Sequence, residues 1–171
     1  MATADVTILG AGVFGLSIAF CCAQRGARVR VIDPAGVATG ASGGIVGALA
    51  PHTPDLWLPK KQFQLESLLY SRSFWPEVEA ISGLPTGFAN QGRLQPINEE
   101  RLIALALSRI VDAEKNWGDT AVWEVVSANK AGEWAPPSAT GQLIHDTLSA
   151  HIHPQKATQA LGRAVESLGG V

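Results

Sequence analysis

Three glycines and an aspartate near the start of the chain have the types and spacing of a phosphate-binding turn. Gly10, Gly12 and Gly15 form a G-x-G-x-x-G pattern between two apolar runs, and Asp33 lies 18 residues after the last of them. Gly10 permits a tight turn, Gly12 leaves room for a diphosphate beside the backbone, and Gly15 lets a helix lie close to a sheet. The pattern predicts a turn that binds a dinucleotide.

The residues between the last two glycines would supply backbone groups to that ligand. Val13 and Phe14 begin the predicted helix, so their N–H groups lie at its positive end, and we expect their side chains to turn toward the core. Asp33 would accept hydrogen bonds from ribose hydroxyls and would repel a 2′-phosphate, which disfavours a phosphorylated nicotinamide cofactor. The carboxylate does not separate NAD from FAD. A tightly packed β-α-β unit without a ligand is the structural alternative.

The elements around the turn form such a unit. Val6–Leu9 is predicted as a buried strand, Val13–Gln24 as a helix that is apolar on most sides, and Arg28–Ile32 as a second strand. A β-α-β unit of this length requires parallel strands. The small-residue segment that follows Asp33 is too long for an ordinary connection, so it is predicted as a binding loop.

The remainder of the sequence predicts mixed helices and strands. Pro76 is expected to kink or divide the helix predicted over residues 60–82, and Asn98 is expected to cap the helix predicted over residues 98–117. In chain order, the predictions are a helix over Lys60–Ser82, a hairpin over Thr86–Ile97 that turns near Asn90–Gly92, a helix over Asn98–Trp117, strands at residues 121–127, 141–146 and 148–153, and a helix over Pro154–Leu168.

The composition excludes several classes of protein. The chain has 171 residues, of which 46% are hydrophobic, and this is enough for a globular core. A formal net charge of −2 gives no basic surface for nucleic acid. Three glycines interrupt the apolar run at residues 6–22, which argues against a membrane span, and no secretory signal is visible. Cys21 and Cys22 are interpreted as buried thiols in a reducing, cytoplasmic compartment.

Other polar residues give weaker signals. His151 and His153 share one face of a predicted strand, but no third ligand lies nearby, so no metal site is predicted. His145 and Asp146 are neighbours in a strand and face opposite ways, which argues against an acid–base pair.

The loop from Asp33 to His52, "DPAGVATGASGGIVGALAPH", resembles that of the D-amino acid oxidase superfamily of flavoproteins, and of its glycine oxidase-like branch in particular. Members carry a motif of the type S-x-x-x-x-G-x-L after the glycine turn, which here runs from Ser42 to Leu49. The segments "GFANQGRLQPI" and residues 139–170 also resemble the family, more loosely. The resemblance implies FAD as the cofactor.

The resemblance also implies positions for individual residues. It places Asp33 and Pro34 at the adenosine ribose, and Ala41 and Ser42 near the pyrophosphate. Along the flavin ring it places Val46, Gly47, Ala48 and Leu49. Family chains continue past the position of Val171, and the arginine and tyrosine that contact substrate lie in that later part. No catalytic residue is therefore assigned, and Arg93 and Tyr70 are interpreted as solvated or packing residues.

The resulting expectation is an α/β fold: a Rossmann-like FAD-binding domain with part of an α+β substrate domain, truncated. Residues 1–52 would form the β-α-β unit and flavin loop, 53–145 a partial substrate-side region, and 146–171 the return to the FAD-binding domain. The family would oxidise an amine or amino acid by hydride transfer to flavin, whereas the 171-residue chain alone would be inactive. The alternatives are a non-catalytic FAD-binding fragment, a piece that binds a partner or itself through an open sheet edge, or a NAD-dependent dehydrogenase domain.

Overall fold

The computed structural model describes residues 3–171. Short 3₁₀ turns at Ala41–Gly43, Gly118–Thr120 and Ala128–Lys130 connect some of its elements. In chain order, the strands and α-helices of these residues are β1 (Val6–Leu9), α1 (Val13–Gln24), β2 (Val29–Ile32), β3 (Gly47–Leu49), α2 (Pro59–Ser82), β4 (Arg93–Ile97), α3 (Arg101–Trp117), β5 (Trp123–Ser127), β6 (Gln142–Asp146), β7 (Ala150–Ile152) and α4 (Pro154–Ser167).

The internal contacts divide the chain into two compact units. Unit 1 contains the described residues up to Gly47, residues 72–89 and residues 151–171. Unit 2 contains residues 48–71 and 90–150. The chain therefore passes between the units after residues 47, 71, 89 and 150. The predicted domain boundaries after residues 52 and 145 remain predictions.

Unit 1 is built on the β-α-β unit. Strands β1 and β2 pair in parallel, with Val6 opposite Val29 and Leu9 opposite Ile32. Helix α1 packs against β2 and α4, and Phe20 and Leu161 are fully buried. The backbone of Val171 exchanges hydrogen bonds with Val29 and Val31, so this residue lies beside β2 in the parallel orientation. The predicted parallel arrangement and the bounds of β1 and α1 are confirmed.

Unit 2 contains a three-stranded antiparallel sheet in the order β4-β6-β5. Asp146 of β6 lies opposite Arg93 of β4 and Trp123 of β5. Helix α3 packs against β5, and the Trp123 indole donates a 3.0 Å hydrogen bond to the Ala106 carbonyl. Apolar residues of the helices and the sheet form one core, whose larger buried members are Leu65, Leu68, Ile97, Trp117, Trp123, Ile144 and Leu148.

The predicted hairpin at Thr86–Ile97 is wrong. Ala89 forms a bridge with His151, whereas β4 pairs with β6, so the two halves of the segment do not pair with each other. The glycine that indicated a turn has another role. Gly92 has φ +78°, and a Cβ there would lie 2.5 Å from the Asp146 carbonyl oxygen, so it allows a close approach of two backbones.

The start of α3 also differs from the sequence prediction. The helix begins at Arg101, and Asn98 uses its side-chain oxygen to accept from the Ala139 amide, 3.2 Å away, rather than to cap the helix. Helix α2 is continuous past Pro76, since a proline breaks only the local bond to the preceding turn. Within residues 3–171, no helix is both long and apolar enough to cross a bilayer.

Candidate functional site

Backbone contacts hold the glycine turn between β1 and α1 in a compact conformation. Gly10 has φ +105°, which favours glycine, and its amide donates a 2.8 Å hydrogen bond to the Ile32 carbonyl of β2. A Cβ on Gly15 would collide with the Gly10 carbonyl and would lie 3.3 Å from the Ile8 side chain of β1. Gly10 is therefore favoured by the backbone conformation of the turn, and Gly15 by the close approach of strand and helix.

The first turn of α1 leaves backbone donors available. Gly12 is its N-cap and supplies no side chain. The Val13 amide donates to Ser42 Oγ at 3.0 Å, and the Leu16 amide donates to the Gly12 carbonyl at 3.0 Å. The amides of Phe14 and Gly15 have no acceptor among residues 3–171. Free donors at the positive end of a helix attract an anion such as a diphosphate.

The expectation that Phe14 turns its side chain into the core is wrong, because this side chain is 86% exposed. The buried stripe of α1 consists of Leu16, Ala19, Phe20 and Ala23, whose spacing defines one helix face. Phe14 and Ile18 lie four residues apart on another face and are both exposed. A helix that is apolar on most sides does not indicate from sequence which face is covered.

Asp33 lies at the end of β2 and bonds to the turn. Its Oδ2 accepts from the Ala11 amide at 2.8 Å, and its Oδ1 accepts from the amides of Ala35 at 2.9 Å and Gly36 at 3.2 Å. The Ala11 amide, with those of Ala35 and Gly36, holds the pKa of the Asp33 carboxyl below its ordinary value. A carboxylate has about four lone-pair sites, so one site on Oδ2 remains for a ligand hydroxyl.

The loop after Asp33 folds back onto the glycine turn. Ala38 is buried with φ +60°, and its amide donates to the Ala11 carbonyl at 3.2 Å. The Gly43 amide donates to the Gly40 carbonyl at 2.9 Å, and a Cβ on Gly43 would lie 2.5 Å from the Ala38 carbonyl oxygen. These contacts close the 3₁₀ turn at Ala41–Gly43 and bring Ser42 to the start of α1.

A small cavity lies beside Asp33 within unit 1. Its volume is about 170 Å³, and its walls include Ala11, Val37, Val165 and Val171. Gly162 of α4 also lines it, and a Cβ there would sit 3.6 Å from Val37. The site therefore combines free helix amides, a carboxylate and an apolar cavity, which suit the diphosphate, ribose and base of a nucleotide.

The comparison with protein families identifies the family of the chain. A family model described as DAO, FAD-dependent oxidoreductase, matches residues 5–171. The chain belongs to this family. The predicted FAD-dependent, D-amino acid oxidase-like family membership and the α/β fold class are thereby confirmed.

Curated relatives of this FAD-dependent oxidoreductase chain are longer proteins. The bifunctional protein ThiO/ThiG of Trichormus variabilis is 29% identical over 186 residues, which cover 98% of this chain and 25% of that protein. The tRNA 5-methylaminomethyl-2-thiouridine biosynthesis bifunctional protein MnmC of Maricaulis maris is 33% identical over 165 residues, which cover 96% of this chain and 25% of that protein. The chain thus spans about a quarter of the length of these relatives.

Solved structures of the family share the fold. Iminodiacetate oxidase from Chelativorans sp. BNC1 matches with a TM-score of 0.81 and 21% identity, over 98% of this chain and 46% of that one. Glycine oxidase from Bacillus cereus matches with a TM-score of 0.80 and 22% identity, again over 98% of this chain and 46% of that one. The chain therefore spans less than half the length of these structures.

The remaining predicted site residues differ in their burial: some are exposed to solvent and others are packed against neighbouring residues. Pro34, Ala41 and Ala48 are exposed, Val46 is 81% exposed, and Leu49 is partly buried. Gly47 packs closely, since a Cβ there would lie 2.9 Å from both Ile152 and Pro154. Among the predicted site residues within 3–171, Asp33 and Ser42 are the two whose side chains bond to the glycine turn, at the amides of Ala11 and Val13. The roles predicted for Val46, Gly47, Ala48 and Leu49 along a flavin ring stay predictions.

Polar pairs away from the turn have structural partners. Arg93 Nε donates to Asp146 Oδ2 at 3.0 Å, and His145 Nδ1 lies 2.8 Å from Glu124 Oε1. His153 caps α4 by accepting from the Lys156 amide. Among residues 3–171, no three His, Cys, Asp or Glu side chains come together as a metal site.

Sequence reasoning missed two residues of the site. Ala11 donates through its amide to Asp33 and accepts through its carbonyl from Ala38, so both of its backbone groups join the turn to the loop. Alanine carries no side-chain signal for such a role. Ala38 adopts positive φ, which sequence patterns attribute to glycine or asparagine.

Proposed function

We propose that this chain binds FAD at the glycine turn and forms the nucleotide-binding part of an enzyme that oxidises an amine or amino acid. The observation that carries the proposal is the pair of free amides at Phe14 and Gly15, beside a carboxylate on Asp33 that keeps an acceptor site. Family membership over residues 5–171 supports FAD over NAD as the nucleotide.

The residues present fit an adenine dinucleotide. The amides of Phe14 and Gly15 would donate to the diphosphate, and Gly12 would let it approach the backbone. Asp33 Oδ2 would accept a ribose hydroxyl, and the apolar cavity beside it would take the base. Ala41 and Ser42 would lie at the diphosphate, with Pro34 at the ribose.

When bound, FAD would supply the acceptor for a hydride from the substrate's α-carbon. The exposed segment from Val46 to Leu49 would lie along its ring and hold its orientation by backbone contacts. No residue of this chain is proposed to remove a proton. A reducing, cytoplasmic location belongs to the same proposal and is supported by the free thiols of Cys21 and Cys22.

The test is a titration of the purified chain with FAD, followed by calorimetry and by the flavin absorption band at about 450 nm after gel filtration. We expect the wild-type chain to keep the band. Gly12→Asp places a carboxylate where the diphosphate would lie and should abolish it. Asn129→Asp adds the same charge on an exposed residue of unit 2 and should leave binding intact. A wild-type chain that elutes colourless and releases no heat would refute the proposal.

We also expect the 171-residue chain alone to oxidise glycine or D-amino acids slowly or not at all, because it covers 46% of the solved glycine oxidase chain. Release of hydrogen peroxide at enzymatic rates by the FAD-loaded chain would contradict this expectation. A NAD-linked turnover without flavin would contradict the cofactor assignment itself.

A further inference from the structure

A wide groove lies over one face of the antiparallel sheet of unit 2. Its volume is about 840 Å³, and its walls come from β4, β5, β6 and the segment that follows β5. All of its lining residues fall between Gln91 and His145, so the groove lies within unit 2 and apart from the glycine turn. Sites for small molecules have volumes of about 300 to 1,000 Å³, so the groove is large enough for a ligand.

The floor of the groove is the sheet face that points away from the core of unit 2. Leu94 of β4 lies opposite His145 of β6, which lies opposite Glu124 of β5, so these three side chains share one face. Trp123 and Ile144 alternate with them along the strands, point to the other face and belong to the core. The floor therefore combines ionisable side chains with an apolar one.

One end of the groove carries a carboxylate with an unused oxygen. Glu124 Oε1 lies 2.8 Å from His145 Nδ1, and in the described part of the chain Oε2 has no hydrogen-bond partner. Arg93 also lines the groove, but its charge is balanced by the buried Asp146 carboxylate, 3.0 Å from its Nε. This end therefore has a net negative charge, and a carboxylate oxygen remains for a cationic group.

The other end of the groove carries a cation and an exposed indole. Glu124 precedes Ser127, the last residue of β5, by three positions, which is roughly 10 Å along a strand. Lys130 ends the 3₁₀ turn that follows, and no described residue forms an ion pair or hydrogen bond with its ammonium group. Trp134 lines the groove and is 91% exposed. A tryptophan so exposed beside a groove offers a large apolar surface to a ligand.

We propose that this groove binds a short peptide with free ends and an aromatic side chain: its ammonium lies at Glu124, its carboxylate at Lys130, and its ring packs on Trp134. An extended tripeptide spans about 10 Å, which matches the separation of the charged ends. The ammonium and carboxylate of a single amino acid share one carbon, so an amino acid cannot reach both ends. The proposal does not depend on FAD or on the glycine turn.

Calorimetry of the full chain with the tripeptide Ala-Phe-Ala tests the class of ligand. We expect binding that weakens about three-fold when the peptide is N-acetylated or C-amidated, because each change removes one exposed charge pair. Ala-Ala-Ala lacks the ring and should bind about ten-fold more weakly. The NMR signal of the Trp134 indole N–H should shift during the titration with Ala-Phe-Ala.

Three variants assign each contact to a residue. Glu124→Gln should bind acetylated and free peptide equally, Lys130→Met should bind amidated and free peptide equally, and Trp134→Ala should lose the preference for Ala-Phe-Ala over Ala-Ala-Ala. The matched controls change exposed residues of unit 2 outside the groove and should keep all three preferences: Glu114→Gln, Lys115→Met and Phe63→Ala.

Several results would overturn the proposal. A wild-type chain that gives neither heat nor a shift of the Trp134 signal at millimolar peptide does not bind this ligand. If Glu124→Gln and Lys130→Met keep the full preference for free ends, the peptide binds elsewhere. Free phenylalanine that binds as tightly as Ala-Phe-Ala would mean that the two charged ends are not bridged. Lys130 and Trp134 are exposed, so their variants should fold as the wild type does.

Discussion

The backbone amide of Ala11 donates a 2.8 Å hydrogen bond to Oδ2 of Asp33, across 22 residues of sequence. The bond joins the glycine turn to the residue that directly follows β2. Asp33 therefore has a structural role besides the proposed contact with a ribose, because its carboxylate stabilises the turn in the absence of a ligand. Its loss should affect folding and nucleotide binding together.

Asp33→Asn tests this double role. An amide oxygen can replace only one carboxylate oxygen, so the variant cannot accept from Ala11 and Ala35 as the wild type does. We expect a lower midpoint of thermal unfolding for the nucleotide-free chain and weaker FAD binding by calorimetry. The control is Asn129→Asp, at an exposed residue of unit 2. It should alter neither the unfolding midpoint nor FAD binding. An unchanged unfolding midpoint in Asp33→Asn would contradict the structural role.

The pH dependence of the same variant has a defined sign. Backbone donors, that of Ala11 first, lower the pKa of Asp33 in the folded chain. The stability that this carboxylate contributes is therefore complete above its unfolded pKa and is lost as the pH falls through the folded value. We expect the difference in stability between wild type and Asp33→Asn to shrink progressively as the pH falls below about 5, as followed by urea unfolding. A difference that grows on acidification would contradict the pKa shift.

Gly15→Ala tests the closure of the glycine turn. A Cβ there collides with the Gly10 carbonyl, a backbone atom that cannot rotate away, so we expect a loss of stability above about 3 kcal/mol. Gly44→Ala is the matched control, because Gly44 has extended backbone and nothing within 4 Å of the new Cβ. It should change stability by less than about 1 kcal/mol. Equal urea midpoints for the two variants would show that the turn is not closed in this way.

The elements of unit 1 could be predicted from local sequence because their signals are local. The glycine spacing and the apolar runs give β1 and α1 with their observed bounds, and Pro154 marks the first residue of α4. The loop motif identified the family because its small residues and Ser42 form one continuous stretch. Each of these features is encoded within about thirty residues.

The contacts that complete the site could not be predicted, because they depend on backbone groups or on distant partners. The bonds of Ala11 carry no residue preference, and the positive φ of Ala38 is held by a contact with Ala11. The strand at Arg93–Ile97 pairs with residues about fifty positions later, so a turn signal at Gly92 was attributed to a local hairpin. The exposure of Phe14 depends on which face of α1 is covered.

Asp5 and Arg28 offer a direct check of the structure at the start of β1. The Arg28 side chain donates to both carboxylate oxygens of Asp5, at 2.6 and 3.0 Å, and its amide donates at 2.9 Å. These hydrogen bonds lower the pKa of Asp5 to about 2. An NMR titration should give that midpoint, and Arg28→Gln should raise it toward 3.8. Arg25→Gln should leave it in place, whereas a wild-type midpoint of 3.8 would mean that the pair does not form.

Arg93 and Asp146 provide the corresponding check in unit 2. Asp146 is fully buried and accepts from Arg93 Nε at 3.0 Å and from the Ser149 amide at 2.7 Å. Arg93→Met leaves a buried carboxylate without its cation, so we expect a loss of about 2 to 4 kcal/mol in urea unfolding. Arg101→Met breaks the exposed pair with Glu99 and should cost less than about 1 kcal/mol.

The double variant separates the ion pair from the packing of the arginine stem. Combining Arg93→Met with Asp146→Asn removes both charges, so its loss should be smaller than the sum of the two single losses. Additive losses would mean that the two side chains stabilise unit 2 independently. A loss in Arg93→Met no larger than that in Arg101→Met would place the Asp146 carboxylate in water rather than in the interior, against the burial that the structure shows.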